Sequence, residues 1–265
     1  MHLARRLWTA FEPIHAATYF APESREAYEA IGLRGYWRGY FAGRAAAFGR
    51  VGPEPVIAAF YGFAPSMVRR ALPSIWDLAS PEEALRAREN GVTAALGRVL
   101  GDADVTEATA VLEAAVGRLD LAGRVLAAAH AALPTPDEPL ARLWHAAGVL
   151  REHRGDGHVA ALVAHDVDGC ESLVLRASLD IPREVLQPYR GWTDEEWDAA
   201  TGRLAARGVL GSRELLDSVE AATDAAALRA WADADTDRAL AVLEPLARAC
   251  AGVIPAQSPL GLPTR

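Results

Sequence analysis

Apolar residues recur at spacings of three and four along almost the whole chain, and period-two alternation is rare. Spacings of three and four line one face of an α-helix, whereas a half-buried strand needs a period of two. The helical pattern runs through 3–19, 54–72, 81–100, 105–132, 139–153, 158–166, 193–207 and 214–230. Leu173-Val174-Leu175 reads as part of a short helix. Prolines mark the starts: Pro53 and Pro55 open one helix, and Pro81-Glu82-Glu83 opens another with acids in its first turn. The expected fold class is all-α.

At 265 residues, 51% hydrophobic and 23% charged, the chain has the make-up of a globular protein with a sizeable core. No apolar run approaches the roughly 18–20 residues that span a bilayer. The stretch after Met1 has basic residues but no apolar segment behind them, so no signal peptide is read and a cytoplasmic location is expected. Cys170 and Cys250 lack metal spacing and read as incidental thiols. All 27 basic residues are arginine. That excludes a Schiff-base lysine, a pyridoxal phosphate anchor and a P-loop lysine. No cofactor is expected. Net charge is −8, which sets a prior against duplex DNA as partner while leaving room for a local basic patch.

Three prolines in Leu133-Pro134-Thr135-Pro136-Asp137-Glu138-Pro139 make this the best linker. It divides the chain into an N-terminal half, 1–133, a linker, 134–139, and a C-terminal half, 140–265. Leu3-Ala4-Arg5-Arg6-Leu7-Trp8 is echoed by Leu140-Ala141-Arg142-Leu143-Trp144 after the linker. About 30 residues on, each half has a glycine-bearing turn, Gly32–Gly35 and Asp166–Gly169. An internal duplication and chance matching in an Ala/Arg/Leu-rich chain remain even alternatives.

The second half reads as a winged-helix module. A helix ends near Arg151, a second covers 158–165, a turn and short helix follow, and Thr193 with Glu196 forms a capping box at the start of a third. Leu204-Ala205-Ala206-Arg207-Gly208-Val209-Leu210 looks like the end of a recognition helix entering a wing. Pro13–Phe20, Tyr40–Ala46, Glu152–His158, Gly191-Trp192-Thr193 and Glu220-x-x-Thr223-Asp224 together resemble an actinobacterial helix-turn-helix family, sometimes called SalK-like. The resemblance covers most of 3–225. It implies a winged-helix fold distantly similar to MarR-type regulators, here a tandem pair of winged-helix-like halves resembling a fused MarR-type dimer, with monomer the plausible state. One departure stands out: Gly211-Ser212-Arg213-Glu214 leads straight into the next helix, where members carry a polar hairpin.

The recognition-like helix opens Thr193-Asp194-Glu195-Glu196-Trp197-Asp198. Its four carboxylates would be repelled by a phosphate backbone, so DNA is an unlikely partner by sequence. The run Glu152-His153-Arg154-Gly155-Asp156-Gly157-His158 concentrates polar groups between apolar helical segments. Metal ligation by His153 and His158 is disfavoured by their spacing of five. Acid/base work by His153 or His158, oriented by Asp156 or Glu152, suits neutral pH. Arg154, glycine amides and a helix N-terminus would hold an anion. A purely structural reading has Asp156 capping helix 158–165 across a glycine turn.

In the first half His15 and Tyr19 share a helix face, and Tyr36, Tyr40 and Arg44 form a stripe on another. If the halves pack together, these residues and the Glu152–His158 run line one cavity between them, with Trp8, Trp37, Phe41 and Trp144 as apolar walls. The resemblance implies the same, since MarR-type folds bind small molecules where dimerisation helices meet winged-helix domains. The expectation is a small-molecule-binding winged-helix derivative with an acidic organic ligand, and an accessory enzyme of specialised metabolism as its catalytic version. Ligand-binding residues would be His15, Tyr19, Tyr40, Arg44, Glu152 and Arg154; catalytic ones His153, His158 and Asp156. The alternative is a MarR-like DNA-binding regulator.

Overall fold

The computed structural model describes residues 2–256 and 258–262. Among them the regular structure is helical, with no strand. The first part contains α1 (Leu3–Phe20), α2 (Pro22–Ala30), α3 (Tyr36–Ala45), α4 (Pro53–Phe60), α5 (Pro65–Ala71), α6 (Pro81–Leu100), α7 (Thr106–Val116) and α8 (Val125–Ala131). After the proline-rich connection come α9 (Pro139–Ala164), α10 (Gly169–Ala177), α11 (Arg183–Arg190), α12 (Asp194–Ala206), α13 (Arg213–Leu228) and α14 (Thr236–Cys250).

Local chemistry sets many of these boundaries. Proline occupies the first turn of α2, α4, α5, α6 and α9, where its missing N–H has no partner to lose. Capping boxes start α6 (Ser80 with Glu83), α10 (Asp168 with Glu171) and α12 (Thr193 with Glu196). The expected span 54–72 is split by Tyr61, whose φ of 25° lies in the left-handed region. The span 105–132 is likewise two helices, α7 and α8.

One correction changes the reading of the site. No turn breaks the chain at Gly155–Gly157: α9 is a single helix of 26 residues, so Asp156 caps no helix starting at 158. Each interior glycine costs a helix about 1 kcal/mol relative to alanine. Packing outweighs it, because α9 is the central rod, contacting α1, α6, α7, α8 and α13. Two of its glycines permit close approach: a Cβ on Gly148 would lie 3.2 Å from His15 Nδ1, and one on Gly157 would lie 2.2 Å from Arg124 Nη1.

The largest apolar core draws on both expected halves: Leu7, Ile14, Leu96 and Leu112 pack with Leu143, Leu150, Trp231 and Leu243. A separate small core (Leu175, Leu186, Trp197, Leu204) holds α10, α11 and α12 together. Arg207–Ser212 then turns directly into α13, so the described residues contain no wing. This α10–α12 unit is fastened to the first half at the turn after α4. Trp192 Nε1 donates to Gly62 O at 2.9 Å, Tyr61 Oη to Val167 O at 2.7 Å, and Ala64 N to Arg190 O at 2.8 Å. Gly169 is required there, since a Cβ would fall 2.0 Å from Tyr61 O.

Candidate functional site: an arginine-lined cavity

Because α9 is continuous, its 100° per residue sorts the polar run onto different faces. Arg151, Arg154, Gly155, His158 and Leu162, three or four apart, form one stripe and line a cavity of 270 Å³. α1, α3, α4, α8, α10, α11, α13 and the Tyr61–Phe63 turn supply the remaining walls, and Pro259–Gly261 lie along it. Six guanidiniums (Arg5, Arg44, Arg151, Arg154, Arg176, Arg190) face three carboxylates (Glu12, Glu152, Glu220). The lining is thus cationic in a chain whose net charge is −8.

Deep in the cavity, Arg44 grips Glu152 with both arms of its fork: Nε to Oε1 at 3.3 Å and Nη2 to Oε2 at 2.9 Å. Arg151 Nη1 adds a bond to Oε2 at 2.7 Å. Burial alone would raise the Glu152 pKa, but the charges of Arg151 and Arg44 prevail and hold it well below the carboxylate range. Tyr40 Oη accepts from Arg44 Nη1 at 3.0 Å, and Phe60 lies under the guanidinium at 4.2 Å. Glu12, beside Arg151 at 3.8 Å, is different: burial raises its pKa and the arginine only partly offsets it.

Toward α13, Glu220 and Asp224 organise the other arginines. Glu220 pairs with Arg5 at 2.5 Å, Arg176 at 3.3 Å and Arg154 at 3.4 Å; Asp224 pairs with Arg154 at 2.9 Å. Arg154 also rests on the Trp8 ring at 4.8 Å. His158 Nδ1 lies 3.1 Å from Thr223 Oγ1, whose proton is donated to Val219 O at 2.8 Å. With the hydroxyl proton committed, His158 donates from Nδ1, which leaves Nε2 as the basic nitrogen. Burial, with Arg154 assisting against Glu220, lowers its pKa, so the ring is neutral at pH 7.

Arg190 differs from the other five. No carboxylate among the described residues pairs with it: its guanidinium sits 4.6 Å over the Phe63 ring and donates from Nη1 to Tyr189 O at 3.4 Å. Burial lowers its pKa, and the charges of Arg44 and Arg151 push the same way. A cation that two neighbouring cations oppose is an open seat for an anion.

Of the residues singled out by sequence, Tyr40, Arg44, Glu152, Arg154 and His158 meet at this cavity. His15 and Tyr19 do not. His15 stacks on Trp144 (6.0 Å, 4°) and lines a separate cavity, while Tyr19 bonds to it at 3.1 Å and packs behind Tyr40. His153 and Asp156 also turn away, because residues five apart on a helix point roughly 140° apart. His153 faces Arg124 and the Asp120 backbone. Asp156 Oδ2 accepts from Ala127 N at 3.0 Å and so caps α8 from a distance; burial raises its pKa to about 6. The His153/Asp156/His158 catalytic grouping is therefore not assembled. Of the expected aromatic walls, Trp8 lines the main cavity, Trp144 lines the other, and Trp37 and Phe41 belong to the core of the first half. Sequence reading missed Arg5, Glu12 and Arg190, and assigned Arg151 no role of its own. The usable signal was the 151/154/158/162 spacing, visible only once α9 is read as unbroken.

The sequence model of a helix-turn-helix family matches residues 4–257, nearly the whole chain. The chain belongs to this helix-turn-helix family. Neither a curated protein nor a solved structure matches it. Among the described residues no three His, Cys, Asp or Glu side chains are grouped to hold a metal, and no helix is long and apolar enough to cross a membrane.

Proposed function

We propose that this helix-turn-helix family member binds a small organic anion in the arginine-lined cavity, between α9 and the α10–α12 unit. The observation that carries the reading is Arg190, a cavity-lining guanidinium with no carboxylate partner among the described residues. Its surroundings suit an acid with an apolar body: Phe60, Phe63, Leu173 and Leu186 share the lining with the arginines. With Asp224 and Asp180 holding Arg154 and Arg176 from outside the lining, the six guanidiniums still outnumber the carboxylates around them, which favours an anion over a neutral ligand. Thermal melts against inorganic phosphate, succinate and citrate, with chloride at matched ionic strength, test the reading. A dianion should raise the melting temperature in a saturable way. Shifts equal to that of chloride would remove it.

Family membership favours a second reading, a DNA-binding regulator whose ligand cavity controls the helix-turn-helix unit. Against it stands the start of α12, where Asp194 and Glu195 in the first turn and Asp198 just beyond it are exposed and Arg183 is committed to Asp194 at 2.6 Å. A mobility shift with duplex DNA at low salt separates the two, because non-specific binding is largely electrostatic.

A further inference from the structure

On the opposite side of Glu152 lies a second cavity, of 170 Å³, between α6, α8, α9 and the proline-rich connection. It is where His15 went, and it holds an unusual set of unsatisfied atoms. Arg88 is 2% exposed, donates from Nη1 to Gly43 O at 3.2 Å, and has no partner for Nη2. His15 Nδ1 and His130 Nε2 are also buried without partners. Buried polar groups are nearly always hydrogen-bonded, and three orphans around one space ask for a common partner.

The charge pattern says what kind. Arg88 forms no ion pair among the described residues; its guanidinium rests 4.9 Å over the Trp144 ring. Glu152 reaches this lining too, but its oxygens are held by Arg44 and Arg151. Glu89 also lines the space without pairing to Arg88. The two imidazoles are kept neutral by burial and by Arg88 itself, so they offer N–H donors and add no charge. Arg86 and His145 also border the space, and Leu85, Leu133, Pro134 and Trp144 give it an apolar wall. A cavity of about 150 Å³ holds one benzene-sized molecule.

We infer that this cavity is a second, separate site for a small monocarboxylate of benzoate size, its carboxylate on Arg88 and the orphan imidazole nitrogens, its apolar body against Leu85, Leu133 and Pro134.

The test is calorimetric titration of benzoate into the full-length wild type, Arg88→Met and Arg190→Met. Wild type and Arg190→Met should bind alike, and Arg88→Met should bind at least about tenfold more weakly for want of the charge-assisted bonds. Arg190→Met serves to separate this site from the arginine-lined cavity. Should Arg88→Met not fold, ring-nitrogen NMR of the wild type replaces it, with benzoate shifting the His15 and His130 signals. Absence of saturable binding, equal binding by Arg88→Met, or unmoved imidazole signals would each overturn the inference.

Discussion

Arg44 and Glu152 are 108 residues apart in sequence and meet in a buried two-pronged ion pair. Arg44 is 5% exposed and Glu152 is fully buried, so neither charge has water to fall back on. Arg151 shares the same carboxylate, which makes Glu152 the counter-charge for two cations. Removing one member of such a group strands the others, at a cost of about 3–5 kcal/mol. Glu152→Gln is therefore expected to lower the free energy of urea unfolding by that order, and Arg44→Met to do so by less. A Glu152→Gln variant as stable as wild type would deny the ion pair its structural role.

Stability should fall on acidification, beginning below pH 6.5. His15 and His130 have folded pKa values below their ordinary 6.5, His130 at about 3, chiefly through burial. The unfolded chain then binds protons between pH 6.5 and 3 that the native state refuses, so stability rises with pH across that window. Glu152 adds a loss of the same sign as pH falls below 4.5. Asp156 opposes them: its pKa is raised from 3.8 to about 6, so its native state takes the proton first and it favours folding at the acid end. Urea unfolding at a series of pH values should show the net acid loss, with a shallower slope in His130→Gln.

Asp156 separates capping from catalysis. Asp156→Ala removes the acceptor for Ala127 N and should cost about 0.5–2 kcal/mol. Asp156→Asn keeps an acceptor, sheds the raised pKa, and should match or exceed wild-type stability at pH 8. Ligand affinity should be untouched in both, since Asp156 faces α8. A loss of anion binding in Asp156→Asn, read by the same thermal shifts, would return it to the site.

Two glycines give opposite expectations for the α10–α12 unit. Gly202 lies within α12 with nothing within 4 Å of a built Cβ, so Gly202→Ala should stabilise by about 0.5–1 kcal/mol. Gly169 faces the Tyr61 carbonyl, a backbone atom that cannot swing aside, so Gly169→Ala should loosen the seating of α10 against the first half. Faster proteolysis around 178–194 in Gly169→Ala, and not in Gly202→Ala, is the readout.

Several helices were legible because period, proline starts and capping boxes are local signals, whereas 54–72 and 105–132 each proved to be two helices. α6 spans 81–100 as expected, and α12 and α13 fall within a residue or two of expectation. α9 was not, because Gly155 and Gly157 argue locally for a turn and only the five helices packed around it override them. That one misreading displaced half the site. With a turn at 155–157, His153, Asp156 and His158 converge; on a continuous helix Arg151, Arg154 and His158 do. Arg190 was invisible for another reason: its isolation is a fact about absent neighbours, which follows only from where Tyr61–Phe63 and α11 meet in space.

If Arg190 seats an anion in the cavity between α9 and the α10–α12 unit, its removal must weaken binding. Calorimetric titration of the most stabilising dianion from the thermal screen into wild type and Arg190→Met tests it most directly. One saturable site is expected in wild type, weakened at least about tenfold in Arg190→Met, whose unliganded melting temperature stays the same or rises. Equal affinity in the two proteins, or no saturable heat in either, would contradict it.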